Sequence, residues 1–179
     1  MTDAETQLAS YFTRYEPAMV KLGKALRARL RARLPGLSEI VYVYENQDAL
    51  VISYSPTEHG YQGVFSLALY PRQVKLFFAK GGELAKSDPN RLLQGRGTGV
   101  RHVVLGDVAD FDRPEIEALM TAALELARLR LDPNATGAVI IRAEAQKQRA
   151  RRKRKAPAAA SARAAAGRRP RGTGRPRAR

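Results

Sequence analysis

Positively charged side chains are the chemically most distinctive residues of this sequence, and they concentrate at its C-terminal end. Residues 142–179 carry 15 lysines and arginines but one acid, Glu144, so their formal net charge is +14. Residues 1–141 carry 17 cations and 16 acids, a net charge of +1. Such asymmetry favours a polyanionic partner. We therefore predict that the chain binds nucleic acid, DNA in preference to RNA, with an anionic membrane as the alternative.

The chemistry of such a segment is the neutralisation of phosphates. Lysine and arginine release counterions when they contact a nucleic acid backbone, and these contacts are indifferent to base sequence. Gly174-Arg175-Pro176 resembles the core of an AT-hook, which lies in the narrow minor groove of A·T tracts, although Thr173 stands where that motif usually has arginine. The alternative is a segment that only keeps the protein in solution. The residues predicted to bind nucleic acid are Arg149, Arg151, Arg152, Lys153, Arg154, Lys155, Arg168, Arg169, Arg171, Arg175, Arg177 and Arg179.

A glycine-rich stretch, residues 95–99, precedes a predicted strand that carries Arg101 and His102. It resembles a phosphate cradle, but a dinucleotide site requires a strand before the glycines and a helix after them. The order here is reversed, so we predict a structural turn whose arginines can still hold an anion. Arg101 and His102 are adjacent in a strand and therefore point to opposite faces. The residues predicted to line a small-ligand site are Tyr42, Tyr44, Arg96, Arg101 and His102.

A group of acids follows that strand. Iron and other hard cations prefer carboxylate oxygens, although the spacing lacks the central glycine of an EF-hand. The alternative is negative charge that stabilises a helix N-terminus. The chain has two histidines and no cysteine, which excludes disulfides, zinc fingers and thiol nucleophiles. We predict no catalytic residue and no cofactor; the alternative is a small-molecule enzyme, which would require Arg101 or His102 to line a pocket. The residues predicted for a metal site are Asp107, Asp110, Asp112 and Glu115.

The elements that must position these residues follow from the spacing of apolar side chains. Periods of three and four predict helices over residues 3–15 and 18–34, separated by Pro17, and a last helix that begins with a capping box at Asp112 and Glu115. Ser87 or Asp88 is predicted to cap a short helix that ends at Leu93. Alternation predicts strands at residues 39–44, 49–55, 63–70, 74–79 and 100–105. Residues 138–141 are either an edge strand or a packing segment.

This order of elements predicts an α+β fold. We expect a two-layer sandwich with a mainly antiparallel five-stranded sheet, covered on one side by the N- and C-terminal helices. The folded domain spans residues 1–141. Residues 142–179 form an Arg/Ala/Pro-rich cationic tail, which we predict to be disordered because bulky apolar residues are absent beyond Ala156. The uncovered face of the sheet would carry Tyr42, Tyr44, Tyr54 and Tyr70, either to stack on bases or as ordinary strand packing.

The helix over residues 18–34 carries six cations with no acid between them. This pattern is typical of a solvated helix face, and the alternative is a second contact surface for a polyanion. The six cations are Lys21, Lys24, Arg27, Arg29, Arg31 and Arg33.

A family resemblance rests on residues 62–105. The resemblance begins with a meander that ends in Val74–Phe78 and a short predicted helix. Gly95-x-Gly97 and Val100-Arg101-His102 follow at the last predicted strand, before one amphipathic helix. This arrangement, over residues 18–127, resembles the YdhG-like family of small bacterial domains, whose function is largely unknown. The resemblance implies a two-layer fold with an antiparallel sheet and, as for some members, a frataxin-like iron chaperone. Family members tend to have a Gly-x-Pro-x-Phe-like segment after the first strand; residues 44–49 lack it, which implies that a ligand site there is altered or lost.

The N-terminus indicates where the protein resides. Residues 1–5 are acidic and lack the apolar core of a signal peptide. The sequence has no run of about 18 apolar residues, so we predict no membrane span. We therefore predict a cytoplasmic protein associated with the nucleoid.

Overall fold

The computed structural model describes residues 2–96 and 98–142. The nucleic-acid-binding residues predicted from Arg149 onward lie outside the described residues. Short 3₁₀ turns occur at residues 45–47, 60–62 and 85–87. The helices of the described part are α1 (Asp3–Phe12), α2 (Pro17–Arg33), α3 (Gly81–Leu84), α4 (Val108–Phe111) and α5 (Pro114–Leu126). Its strands are β1 (Ser38–Tyr44), β2 (Ala49–Ser55), β3 (Phe65–Tyr70), β4 (Gln73–Phe78), β5 (Arg101–Leu105) and β6 (Val139–Ile141).

The strands form one mixed sheet in the order β5-β4-β3-β2-β1-β6. Strands β1 to β5 are an antiparallel meander, whereas β6 runs parallel to β1 and pairs Val139 with Glu39. The predicted α+β class is confirmed, but the prediction of five strands is wrong, because residues 139–141 add a sixth. Ala138 accepts a hydrogen bond from the Glu39 amide at 2.8 Å, and Val41 accepts one from the Arg142 amide at 2.8 Å. These bonds give hydrogen-bond partners to the Glu39 amide and the Val41 carbonyl on the edge of β1 that faces away from β2.

The hydrophobic core lies on one face of the sheet. A row of apolar side chains crosses five strands in register, formed by Val41, Ile52, Leu67, Leu76 and Val103. These side chains belong to the same buried cluster as the apolar residues of the long helices, which shows why those helices dock on this face. The helical members of the cluster include Leu8, Phe12, Leu22, Leu26, Leu30, Ile116, Leu119, Met120 and Ala123.

Two local predictions are wrong, the helix that ends at Leu93 and the capping box at Asp112 and Glu115. The predicted helix ending at Leu93 is absent from residues 89–93; instead the Asp88 carboxylate accepts hydrogen bonds from the Leu92 amide at 3.0 Å and the Leu93 amide at 2.7 Å, closing a turn. The capping box is also displaced. Asp107 and Asp110 form it at the start of α4, whereas α5 begins at Pro114 without a side-chain cap.

Within the part of the chain that the structure describes, no helix has the length and apolar character needed to cross a membrane.

Candidate functional site

The side of the sheet opposite the hydrophobic core is hereafter the open face. Because side chains alternate along a strand, every second strand residue belongs to it. The predicted place of Tyr54 on this face is wrong: its ring is 1% exposed on the core face, in register with Glu39 and Phe65. The residues that define the open face are Ile40, Tyr42, Tyr44, Val51, Ser53, Ser66, Ala68, Tyr70, Lys75, Phe77, His102, Val104 and Ile140.

Two side-chain contacts, one between rings and one between a cation and a ring, lie on the β3–β5 half of the open face. Phe77 and His102 face each other on neighbouring strands, with ring centroids 5.1 Å apart. The Lys75 Nζ lies 5.3 Å from the centroid of the Tyr70 ring. These four side chains are half-buried, and Val104 beside them is 41% exposed. Burial, together with the positive charge of Lys75, lowers the pKa of His102, so its imidazole is neutral at neutral pH.

A loop covers part of the other half of the open face. The Ser55 hydroxyl on β2 donates to the His59 carbonyl at 2.8 Å, which draws the loop of residues 56–63 onto the strands. Gly60 meets the Tyr42 side chain so closely that a Cβ there would lie 2.1 Å from the tyrosine oxygen. The absence of a side chain at Gly60 therefore permits this contact.

The structure does not bring the five predicted ligand residues together. Tyr42 and Tyr44 lie on β1, with ring centroids 6.3 Å apart, whereas His102 lies on β5. Three strands separate β1 from β5, a distance of roughly 19 Å at about 4.8 Å per strand. Arg101 points to the core face, opposite His102, and Arg96 is exposed in the glycine-rich stretch.

The residue that precedes the glycine-rich stretch pairs with the edge of the sheet. Gln94 exchanges two backbone hydrogen bonds with His102, at 2.7 and 3.0 Å. Gly95 follows with φ of +120°, a left-handed value that favours glycine. Gly97 lies outside the described residues. The positive φ and the strand pairing support the structural interpretation of this stretch over a phosphate cradle.

The predicted metal residues have other partners. The Asp110 carboxylate accepts from the Gly106 amide at 2.7 Å, and the Asp107 carboxylate accepts from the Asp110 amide at 2.9 Å. Asp112 forms ion pairs with arginines of α2, and Glu115 lies 3.6 Å from the Arg113 guanidinium. Nowhere in residues 2–96 and 98–142 do three His, Asp or Glu side chains come together in a way that could hold a metal ion. The acids stabilise helix starts and loops instead.

The cations of α2 are largely matched by acids from elsewhere in the fold. Arg29 and Arg33 lie 3.3 and 3.6 Å from Asp112. Arg31 donates to Glu5 on α1 at 2.8 Å. The sequence shows no acid between these cations, but the neutralising carboxylates come from α1, β1 and the α4–α5 connection. This matching argues against α2 as a second surface for a polyanion.

A buried ionic cluster, the Arg27 network, was not predicted. It consists of Arg27 and Arg31 with Glu5 and Glu39. The Arg27 guanidinium, 14% exposed, donates to both oxygens of Glu39 and, at 2.8 and 2.9 Å, to both oxygens of Glu5. A sequence signal existed, because Glu39 alternates with Val41 and Val43 on the core face, and a buried carboxylate requires a cation.

The Arg27 network shifts the pKa values of Glu5, of Arg27 and of the neighbouring Tyr54. Hydrogen bonds from the Arg27 guanidinium lower the pKa of Glu5 in spite of partial burial. Burial opposes the charge of Arg27, but hydrogen bonds to Glu5 and Glu39 outweigh that effect and raise the pKa of Arg27. Burial, with the nearby charge of Glu39, raises the pKa of Tyr54. Among the described side chains, the Tyr54 hydroxyl is the buried polar group that lacks a hydrogen-bond partner.

A separate cleft of about 400 Å³ lies between the start of β3 and α5. Its walls include the apolar side chains of Val64, Ala79, Ala123 and Ala127. Lys80 lines it too, and its ammonium donates to the Leu126 carbonyl at 3.4 Å, at the C-terminal end of α5.

Comparisons with protein-family models, with curated proteins and with solved structures find no match to this chain. The resemblance to the YdhG-like family therefore stays a prediction.

Proposed function

We propose that this protein binds nucleic acid non-specifically through its cationic tail, residues 142–179, and that it acts without a catalytic centre of its own. The observation that carries the proposal is the partition of charge, +14 in the tail against +1 in residues 1–141. Electrostatic attraction to phosphates supplies most of the free energy of non-specific binding. DNA is the expected form of the polyanion.

The folded domain supports the proposal through its ion pairs. The arginines of α2 face Glu5, Glu39 and Asp112, so their charge is largely compensated within the domain. A compensated cation has less to gain from a phosphate, because binding would first have to break an existing pair. The uncompensated charge of the chain is therefore expected in the tail.

The experiment measures DNA affinity against salt concentration for the full-length chain and two variants with equal net charge. The tail variant replaces six clustered cations by glutamine: Arg149, Arg151, Arg152, Lys153, Arg154 and Lys155. The control variant replaces six exposed cations of the folded domain by glutamine: Arg14, Arg72, Lys86, Arg91, Arg128 and Arg130. Each variant loses six positive charges, so only their location differs.

Each neutralised phosphate contributes about 0.9 to the slope of log affinity against log salt. If all six clustered cations contact phosphates, the tail variant should lose about 5 from the magnitude of that slope, whereas the control variant should lose less than about 1. Equal slopes for the two variants would refute a tail-centred interface. Such a result would mean that DNA affinity depends on the net charge of the chain and not on where that charge lies.

The proposal includes the predicted family and location. We propose a YdhG-like domain whose tail brings it to the nucleoid in the cytoplasm. A domain joined to such a tail would serve as an accessory factor held near DNA.

The alternative is that the folded domain binds a small ligand. The cleft beside Lys80 supports it, because its size lies within the range of small-molecule sites and its walls are largely apolar. A frataxin-like iron site has less support, because the predicted acids are engaged in caps and ion pairs. Iron titration of Asp110→Ala and Asp112→Ala variants tests it, and binding equal to that of the unmodified chain would remove these acids as ligands.

A further inference from the structure

The open face has the side chains that unpaired bases require. Phe77 and His102 present two rings in contact on adjoining strands, and a third ring, Tyr70, lies on β3 opposite Gln73, four residues along β4 from Phe77. A base stacks on such rings regardless of its identity, because every base has a π-face. The neutral imidazole of His102 offers a flat ring without the hydration shell of a cation.

The charge of the open face also favours an anionic strand. Residues 1–141 contain 16 acids, yet none of the open-face residues that the structure describes is Asp or Glu. Lys75, two residues before Phe77 on β4, supplies a cation whose Nζ lies over the Tyr70 ring. A phosphate backbone that crosses this surface would meet a positive group and no strand carboxylate.

The cationic tail begins at the edge of the same sheet. Ile140 of β6 pairs with Ile40 on the open face, and the Arg142 amide closes the ladder on the Val41 carbonyl. The 37 residues that follow Arg142 have a greatest possible span of about 120 Å, whereas six strands are roughly 24 Å wide. A strand held by the tail is therefore within reach of the rings, at a high effective concentration.

We propose that the open face is a stacking surface for unpaired bases and that the nucleic acid bound by this protein is single-stranded where it crosses the sheet. The inference rests on the proposed function, because the tail supplies most of the phosphate contacts. In a duplex the π-faces of the bases are stacked on one another, so a flat sheet cannot reach them. The open face thus adds a preference for single strands to a tail that has none.

The test compares a short single-stranded DNA with its own duplex, both titrated with the full-length chain. Phe77→Leu removes one ring and keeps an apolar side chain. Tyr11→Leu is the matched control, because it removes one half-buried ring from α1, whose Leu8 and Phe12 belong to the core on the other side of the sheet. We expect Phe77→Leu to weaken single-strand binding about five- to 150-fold, the equivalent of about 1–3 kcal/mol for one lost stack. Duplex binding should stay the same in both variants.

A second measurement follows His102 in the unmodified chain, and a variant is used only to assign its signal. The chain has two histidines, and His59→Gln assigns their imidazole signals in a proton NMR spectrum. Stacking should shift the ring protons of His102 upfield when the single strand is added, and the duplex should leave them in place.

The two proposals fail in distinguishable ways. Equal single-strand affinity for Phe77→Leu and Tyr11→Leu, together with unshifted ring protons of His102, would overturn the stacking surface. If the tail variant at the same time loses both single-strand and duplex binding, the proposed function of the tail stands. Equal salt slopes for the tail and control variants would overturn the proposed function. A chain that sediments as a dimer, and as a monomer after Phe77→Arg, would assign the open face to a second copy and overturn the inference.

Discussion

The Arg27 network gives the strongest stability prediction, and Arg27→Met tests it. Methionine keeps much of the length of the arginine stem but removes five hydrogen bonds to carboxylates. Glu39, which is 3% exposed, would then be buried with only Arg31 nearby, at 3.8 Å. Breaking one partner of a buried ion pair typically costs 3–5 kcal/mol.

The magnitude of that cost follows from the burial of an unpaired carboxylate. Glu39 is 3% exposed, so water cannot replace the guanidinium that the substitution removes. Arg27→Met should therefore lose about 3–5 kcal/mol of unfolding free energy at neutral pH.

Urea denaturation at neutral pH measures this loss. Arg31→Met is the matched control, because it makes the same substitution about one turn further along α2 at a side chain that is 45% exposed. It should cost less than about 1 kcal/mol. Arg27→Met combined with Glu39→Leu should recover most of the loss, since it removes both buried charges. Equal costs for Arg27→Met and Arg31→Met at neutral pH would refute the account of Arg27 as a desolvated pair.

Two further predictions concern single side chains. Tyr54→Phe should change the unfolding free energy by less than about 1 kcal/mol, because the buried hydroxyl makes no hydrogen bond that the substitution would remove; a loss above about 2 kcal/mol in urea denaturation would contradict this. Burial and the charge of Lys75 lower the pKa of His102 in the folded chain. As the pH falls, the unfolded chain therefore takes up a proton at this imidazole before the folded chain does, and the unfolding free energy should decline below about pH 6.5. His102→Phe keeps a ring beside Phe77 and should reduce this decline, and a pH profile identical to that of the unmodified chain would exclude His102 as its source.

The meander was predictable because its signals are local. Strand β2 was predicted with its observed bounds, since Leu50, Ile52 and Tyr54 alternate with smaller residues between two polar turns. The α5 helix was predicted from its apolar stripe, although its first residue was misplaced because Asp112, taken for the cap, is held by Arg29 and Arg33.

The remaining features depend on residues that are distant in the sequence. A strand of three residues such as β6 has too few positions for alternation to identify it, and its partner β1 lies 100 positions earlier. The α3 helix begins at Gly81, which is buried where it packs against Arg101 of β5, a contact that the local sequence does not show. The residues predicted to line a small-ligand site are separated for a similar reason, because strand order places Tyr42 and Tyr44 on β1 and His102 on β5.

The parallel pairing of β6 with β1 has a consequence for the order of folding. The β3–β4 turn closes a loop of about two residues, whereas the pairing of Glu39 with Val139 closes a loop of about 100. The entropic cost of closure grows as 1.5 RT times the logarithm of loop length, so the longer loop costs roughly 3 kcal/mol more. The meander and its helices therefore assemble first, and β6 docks on a sheet that already exists. Its three residues then form the part of the sheet most prone to local opening, so the cationic tail is joined to the fold through its most readily released strand.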